Sequence, residues 1–294
     1  MEKRIKKLKV WMSYIDDKTL LSDLIIPGSH DCGTYNDTKK WNLFGKLFNF
    51  TGRCQVKHFN IYDQLLAGIR YLDIRVRLNK HDTLINCHGM CTTGLTIKDI
   101  FRQVKQYITH YPTETILLYI QHEYVFKPKY TDETLVNKLN EAIISTKLNE
   151  NLIFCSEIPK LGDCRGKVIL YSPCKFKWDI PTMPSNGQWE SYKCKCTKKD
   201  LEYKKKILLK SAKESYDSKV MYVNQVNSIG SLPILKFIPY PYRFYNKIKD
   251  YLYNIFMFMD MKGVVQLDFA VQNNLLYYLI NRNFEKYAKD TSTE

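Results

Sequence analysis

Apolar and polar positions along the chain alternate between two periods. Short apolar runs bounded by Gly, Pro, Asn or Asp read as β-strands: Leu24–Pro27, 70–77, Ile85–His88, Glu114–Gln121, Lys167–Tyr171, Val220–Asn224 and Gly263–Phe269. Between them apolar residues recur at helical spacing. Ile97, Ile100, Phe101, Val104, Tyr107 and Ile108 mark a helix over Thr96–Thr109, which Pro112 ends. Leu135, Leu139, Ile143 and Ile144 mark another over Thr131–Thr146. Further helices are expected at 16–22, capped by Asp16 or Asp17, and at 61–68, Lys199–Tyr216, 246–258 and 272–286. The lysine-rich Lys199–Tyr216 helix reads as a solvated face. Residues 174–197 read as loop, and three prolines within 232–245 exclude a regular helix there.

Strands and helices alternate from end to end, with no Gly-, Ser- or Pro-rich linker and no internal repeat. This pattern predicts one α/β domain over 1–294 with a parallel sheet. The near-continuous apolar run Glu114–Gln121 is what a strand covered on both faces requires. Polar residues gather at the C-terminal ends of the strands, which fits an incomplete TIM (β/α) barrel with its site at that face. An open doubly wound sheet is the alternative, but no glycine-rich phosphate loop follows a strand.

Composition narrows the partners. Net charge is +15, from 45 Lys+Arg against 30 Asp+Glu, so an anionic partner is expected: nucleic acid, an anionic membrane surface or a phosphorylated substrate. Neither zinc-finger spacing nor the glycine–aromatic signature of a common RNA-binding sheet is present, which argues against nucleic acid. The nine cysteines, an odd number scattered through strands and loops, read as reduced thiols. Cys87-x-x-x-Cys91 and Cys194-x-Cys196 have metal-like spacing, but buried or loop thiols are the preferred reading. The basic N-terminus is not followed by an apolar run of signal-peptide length, and no uninterrupted apolar run reaches the ~18 residues of a membrane span. A monomer that is cytoplasmic or peripheral to a membrane is expected.

Candidate chemistry lies at three strand ends. Leu24-Ile-Ile-Pro-Gly-Ser-His-Asp31 presents His30 beside Asp31; Tyr71-Leu-Asp-Ile-Arg-Val-Arg77 places Asp73 and Arg75 on one face; Leu84-Ile-Asn-Cys-His88-Gly89 ends on a histidine. His122 and Glu123 follow another strand, and Asp268 closes the last. Cleavage of a phosphodiester by an internal hydroxyl needs a base, an acid and donors for the phosphoryl oxygens. Two histidines suit the first two roles, a carboxylate orients a histidine, and an arginine complements the phosphate. His30, His88, Asp31, Asp73, Arg75 and Asp268 supply all these parts, although each taken singly also reads as an ordinary structural residue.

Leu24-Ile-Ile-Pro-Gly-Ser-His-Asp-Cys-Gly-Thr-Tyr35, Gly68-Ile-Arg-Tyr-Leu-Asp-Ile-Arg75, His88-Gly89 and Tyr111-Pro-Thr-Glu-Thr-Ile-Leu-Leu-Tyr-Ile-Gln-His-Glu-Tyr124 resemble the X domain of phosphatidylinositol-specific phospholipases C. The short single-domain members match best: bacterial enzymes, the trypanosomal glycosylphosphatidylinositol phospholipase C and X-domain-only proteins. Cys54-Gln55, Met221-Tyr-Val-Asn-Gln225 and Val264-Val-Gln-Leu-Asp-Phe269 extend the likeness along most of the chain. The resemblance implies a distorted TIM barrel and a division of roles. His30 would be the base and Asp268 its partner, His88 the acid assisted by Asp31, Arg75 the phosphate ligand and Asp73 its neighbour. Calcium-dependent members carry a carboxylate where Arg75 stands, so the resemblance implies calcium-independent catalysis and no metal or other cofactor. Gln121 replaces a bacterial inositol-binding lysine, and Ser172-Pro173 stands where those enzymes have an arginine, with Lys175 as a substitute. Glu190 and Tyr192 resemble their Asp-x-Tyr contact, and Glu123 completes the substrate-binding set.

Two segments occupy the places by which the bacterial enzymes meet the bilayer. Residues 39–50 carry Trp41, Leu43, Phe44 and Phe48 flanked by lysines, and 232–245 carry Phe237, Tyr240 and Tyr242. Membrane phosphatidylinositol or glycosylphosphatidylinositol lipids are the implied substrates. The competing readings are a glycosylphosphatidylinositol-anchor phospholipase C, a catalytically inactive phosphoinositide-binding protein and a nucleic-acid-binding protein.

Overall fold

In the computed structural model, which describes residues 8–47, 52–123, 130–171, 177–187, 193–194, 198–217, 219–227, 229–230, 241–272 and 275–289, alternate side chains of the strands enter two different cores. The strands are β1 Ile25–Ser29, β2 Tyr71–Leu78, β3 Leu84–His88, β4 Cys91–Thr96, β5 Thr115–His122, β6 Leu152–Ile153, β7 Lys167–Tyr171, β8 Ser185–Gly187, β9 Lys193–Cys194, β10 Met221–Gln225, β11 Ile229–Gly230 and β12 Gly263–Leu267. All those expected from the sequence form, with ends displaced by two residues at most. On one face of the sheet Ile26, Tyr71, Leu117, Tyr119, Val223 and Val264 pack together. On the other, Leu72, Ile74, Ile116, Leu118, Ile120 and Val265 pack with Ile100, Phe101 and Val104 of the Ile97–His110 helix. The period of two thus sorts an almost wholly apolar strand into two buried surfaces.

The main sheet runs β6-β7-β5-β2-β1-β12-β10-β8. Neighbours on this path pair in parallel, while β3 pairs antiparallel with β2 and β4. First and last strands lie side by side, as the barrel reading requires, with Gly28 opposite Gln266 and Ser29 opposite Leu267. Among the described residues no pairing joins the edges β6 and β8. The architecture is therefore an α/β fold whose parallel sheet curls into an incomplete, distorted barrel. A short separate pair joins β9 to β11.

Helix starts follow their capping residues. Asn60 and Asp63 form a reciprocal capping box for Ile61–Leu66, Thr96 and Asp99 form one for Ile97–His110, and the Thr131 side chain caps Asp132–Ser145. Four expectations are corrected. Residues 16–22 are not an α-helix but hold a short turn of 3-10 helix at Leu21–Asp23, because Ile15 bridges to Ala288 and Leu20 to Lys160. The helix expected from residue 246 begins at Pro241 and runs to Phe258, since a proline's missing N–H is not needed in a first turn. The Lys198–Asp217 helix is not solvated all round: Lys204, Leu208, Ser211, Ala212 and Ser215 form a buried stripe. Strand β4 was not anticipated, since its run of two threonines and a glycine carries little hydropathy; Cys91, Thr93 and Leu95 nevertheless alternate inward.

Candidate active site

The end of β1 sets the site. His30 continues the β1 ladder by donating its backbone N–H to Leu267 O at 3.0 Å. Asp31 then takes a left-handed conformation (φ 44°, ψ 52°), which turns the chain out of the sheet and points successive side chains to different partners. The turn packs so closely that a Cβ at Gly33 would lie 2.5 Å from the Asn86 carboxamide. Asn86 in turn donates to Arg75 O at 3.0 Å and ties the turn to β2. Gln55 fastens the other side: its Nε2 donates to His30 O at 2.6 Å and to Leu267 O at 3.3 Å, bridging the ends of β1 and β12.

Two histidine–carboxylate pairs result. His30 Nδ1 lies 2.6 Å from Asp268 Oδ1, so residues 30 and 268, expected to be near neighbours, are in direct contact. His88 Nδ1 lies 3.4 Å from Asp31 Oδ2 and 3.2 Å from Gly52 O. The two imidazoles are 6.0 Å apart, centroid to centroid, and nearly perpendicular at 80°. Arg75 touches both pairs, through His30 and through Asp31. Its Nη2 is 2.6 Å from His30 Nε2 and 3.3 Å from Asp73 Oδ2, its Nη1 is 3.3 Å from Glu123 Oε2, and its Nε is 3.3 Å from Asp31 Oδ1. A guanidinium only donates, so His30 Nε2 accepts from it and the imidazole proton resides on Nδ1, facing Asp268. Asp73 also accepts from Gln266 Nε2 at 2.9 Å and from the Asp31 backbone N–H at 3.3 Å.

Burial and charge divide the titrating groups. Burial pushes the Asp31 carboxyl well above its ordinary range; Arg75 opposes this, while Asp73, Glu123 and Asp268 reinforce it. Burial lowers His88, partly offset by Glu123. For Glu123 burial acts upward, but Arg75, His88 and the Gly89 N–H together hold the carboxyl below its usual value. For Arg75 burial acts downward and is outweighed by Asp31, Asp73 and Glu123, so the guanidinium stays charged. The arrangement can hold a neutral imidazole ready to accept a proton on one side, a proton shared within a carboxyl–imidazole pair on the other, and paired donors for an anion between them.

His30, Asp31, Asp73, Arg75, His88, Glu123 and Asp268 therefore converge. Gln121 stands opposite Arg75 in the β2–β5 register and accepts from Tyr119 Oη at 3.3 Å. Lys175, Glu190, Tyr192, Phe48, Phe237 and Tyr240 lie outside the described residues. Trp41 is corrected: it is 2% exposed, stacks 5.0 Å from the Arg53 guanidinium and packs on Gly45 and Gly52, so it is not presented to a bilayer. Of the amphipathic helix expected over 39–50, the described residues hold Leu43–Leu47 in helix. There Leu43 and Leu47 are 74% and 64% exposed, Phe44 is half-buried, and Tyr242 is exposed and packs edge-on against Phe269.

Lys204 was missed as a neighbour of the site. Its ammonium donates to Gln225 O at 3.3 Å and Asn227 O at 3.1 Å, and burial lowers its pKa to about 7 against the pull of Asp268. Its position at helical spacing with Leu201, Leu208, Ser211 and Ser215 was the available signal.

Comparison with known proteins gives the same family throughout. The family model "Phosphatidylinositol-specific phospholipase C, X domain" matches residues 27–173. The 1-phosphatidylinositol phosphodiesterase of Listeria monocytogenes is 32% identical over 166 residues, covering 56% of this chain and 48% of that protein. Its counterpart in Staphylococcus aureus is 27% identical over 164 residues, covering 55% and 50%. The chain thus spans about half the length of the curated relatives it matches. The solved structure of the Listeria monocytogenes phosphatidylinositol-specific phospholipase C superposes with a TM-score of 0.72 at 22% identity, over 94% of this chain and 98% of that one. The likeness between the two structures is one of fold.

Proposed function

The chain belongs to the phosphatidylinositol-specific phospholipase C X-domain family, and on that premise we propose that it cleaves phosphatidylinositol to diacylglycerol and inositol 1,2-cyclic phosphate. The observation that carries this reading is the pair of histidines, each with its own carboxylate, and a single arginine that touches both pairs, one through His30 and the other through Asp31. In the proposed reaction Arg75 turns from His30 to the phosphoryl oxygens, and His30 Nε2 takes the proton of the inositol 2-hydroxyl. The alkoxide oxygen bonds to phosphorus, the bond from phosphorus to the diacylglycerol oxygen breaks, and that oxygen receives a proton from the His88–Asp31 pair. Asp268 stabilises the imidazolium formed at His30, as a buried carboxylate does in other acid–base catalysts. Gln121, Glu123, Lys175, Glu190 and Tyr192 are assigned to the inositol.

Calcium has no part in this scheme. The carboxylates of Asp31, Asp73 and Glu123 all lie 3.3 Å from the Arg75 guanidinium, whereas calcium needs six to eight oxygen ligands free of a competing cation. The substrate is reached at a membrane surface through Leu43, Phe44, Leu47 and Tyr242, aided by the +15 charge, each basic residue near an anionic surface contributing about 1 kcal/mol. Among the described residues no helix is long and apolar enough to cross a membrane, which supports peripheral attachment.

The test is turnover of phosphatidylinositol vesicles with and without a calcium chelator, beside His30→Ala and His88→Ala. The expected result is activity that survives chelation and is lost in both variants. Full activity in His30→Ala would refute the assigned base, and inactivity of the folded wild type would leave a lipid-binding role. Release of a glycosylphosphatidylinositol-anchored protein in preference to cleavage of free lipid would assign the anchor as substrate.

A further inference from the structure

Cys54 sits on the acid side of the site and has no role in the proposed chemistry. Its Sγ is 3.5 Å from His88 Nδ1 and 3.9 Å from Asp31 Oδ2, and those two atoms are 3.4 Å apart. Tetrahedral zinc, with bonds of about 2.3 Å to sulfur and about 2.0–2.2 Å to nitrogen and oxygen, sets its ligands about 3.3–3.6 Å apart. Two of the three separations already lie within that range, and the third needs only a small inward turn of the thiol. A sulfur, a nitrogen and an oxygen are also the donor set of a borderline-soft cation, not of calcium or magnesium.

The surroundings independently favour a cation. The Asp31 carboxylate is divided: Oδ1 faces Arg75 Nε at 3.3 Å, and Oδ2 faces His88, so a metal on Oδ2 leaves the arginine pair in place. The Asp268 carboxylate also lies within 4.8 Å of Cys54 Sγ and adds negative charge on the same side, which a divalent cation complements.

We propose that Asp31, Cys54 and His88 form a binding site for a divalent cation of the zinc class, held where the reaction needs a proton. The Cys54 S–H proton and the proton on His88 Nδ1, which faces Gly52 O and Asp31 Oδ2, both pass to solvent, and the thiolate, the freed Nδ1 lone pair and Asp31 Oδ2 bind the metal. Those last two atoms are the proton-holding pair assigned above, so a loaded site blocks turnover; this consequence, unlike the site itself, rests on the phospholipase reading.

The experiment titrates the full chain with cobalt(II), reading the thiolate-to-cobalt absorption band, and with zinc during turnover of phosphatidylinositol vesicles. Wild type, Cys54→Ala and Cys54→Ser are compared, so that other thiols cancel. The expected result is a band in wild type alone, zinc inhibition reversed by chelation, and variants that keep basal turnover but need at least about tenfold more zinc for the same inhibition, the order expected when a supporting contact of a metal is lost. A missing band, or one unchanged in Cys54→Ala, overturns the site whether or not the protein turns over lipid. Equal zinc inhibition of all three proteins overturns it as well. A Cys54-dependent band in a protein without any turnover supports the site and overturns the phospholipase reading instead.

Discussion

Replacing Asp268 by Asn asks whether the His30 base depends on the carboxylate behind it. Asp268 is buried, and its Oδ1 is 2.6 Å from His30 Nδ1. On the opposite side of the ring Arg75 Nη2, which can only donate, is 2.6 Å from Nε2. The carboxylate therefore keeps the proton on Nδ1 and leaves Nε2 with its lone pair. A carboxamide fits the same space but can turn its NH2 toward Nδ1. The ring proton then moves to Nε2, where it meets the guanidinium donor to donor and the base is lost. Even where the amide oxygen stays in place, a charge-assisted bond to the imidazolium becomes a neutral one. The same change in a serine-protease triad, a general precedent, lowers turnover about 10,000-fold. For Asp268→Asn we expect kcat to fall about 100- to 10,000-fold, or about 3–5 kcal/mol at about 1.4 kcal/mol per decade. KM should stay within about threefold, because the carboxylate makes no contact with bound substrate in the proposed reaction. The assay is steady-state cleavage of a water-soluble inositol phosphodiester, which removes membrane binding from the measurement. A kcat within about threefold of wild type, in a variant that melts like wild type, would refute the assignment of Asp268 as partner to the base.

Two further outcomes follow from burial. Leu43→Glu combined with Leu47→Glu should lower turnover on anionic vesicles by about 100-fold, since burying each leucine is worth about 1.5–3 kcal/mol, and should spare the soluble substrate; equal loss on both substrates would contradict a membrane-contact role. Asp31→Asn should raise stability while lowering turnover at least about 100-fold. The folded-state pKa of Asp31 lies above its ordinary 3.8, so between the two values the folded protein holds a proton the unfolded chain has released; stability falls as pH rises through that window and stays reduced above it. Asn removes this loss and tolerates the left-handed backbone, so Tm at neutral pH should rise, by about 2–4 °C for each kcal/mol regained; a lower Tm than wild type would contradict the burial argument.

Strand ends were the most legible part of the chain, and for a physical reason. A strand's side-chain period is two, so Asp73 and Arg75 had to share a face once the run around them read as a strand. Alternation also placed the first strand beside the last, and with it His30 beside Asp268. Which carboxylate serves which histidine was not legible from spacing. It depends on the left-handed turn at Asp31, which sends adjacent side chains to opposite partners and leaves no trace in hydropathy. Trp41 misled because its lysine-rich neighbourhood looks interfacial, while its burial depends on Arg53 and Gly52, residues more than two helical turns away in sequence. Lys204 was hidden by its own charge, since a lysine on a lysine-rich helix reads as solvated until the small and apolar residues on its stripe are counted with it.

The contacts of Arg75 couple the two halves of the proposed reaction. The same guanidinium touches His30 Nε2 and lies 3.3 Å from Asp31 Oδ1, so it quiets the base and draws charge from the carboxylate behind the acid. When a phosphate takes Arg75, both effects are released together. Nε2 is bared to the attacking hydroxyl, and Asp31, relieved of the cation, holds a protonated His88 more strongly through Oδ2. Burial otherwise disfavours that protonated form, so the acid is charged chiefly when a phosphate is present. Asp31 carries this signal because its two oxygens face different partners, Oδ1 the arginine and Oδ2 the acid. The strain of its backbone and the desolvation of its carboxyl are the physical cost of placing one residue between the base and the acid.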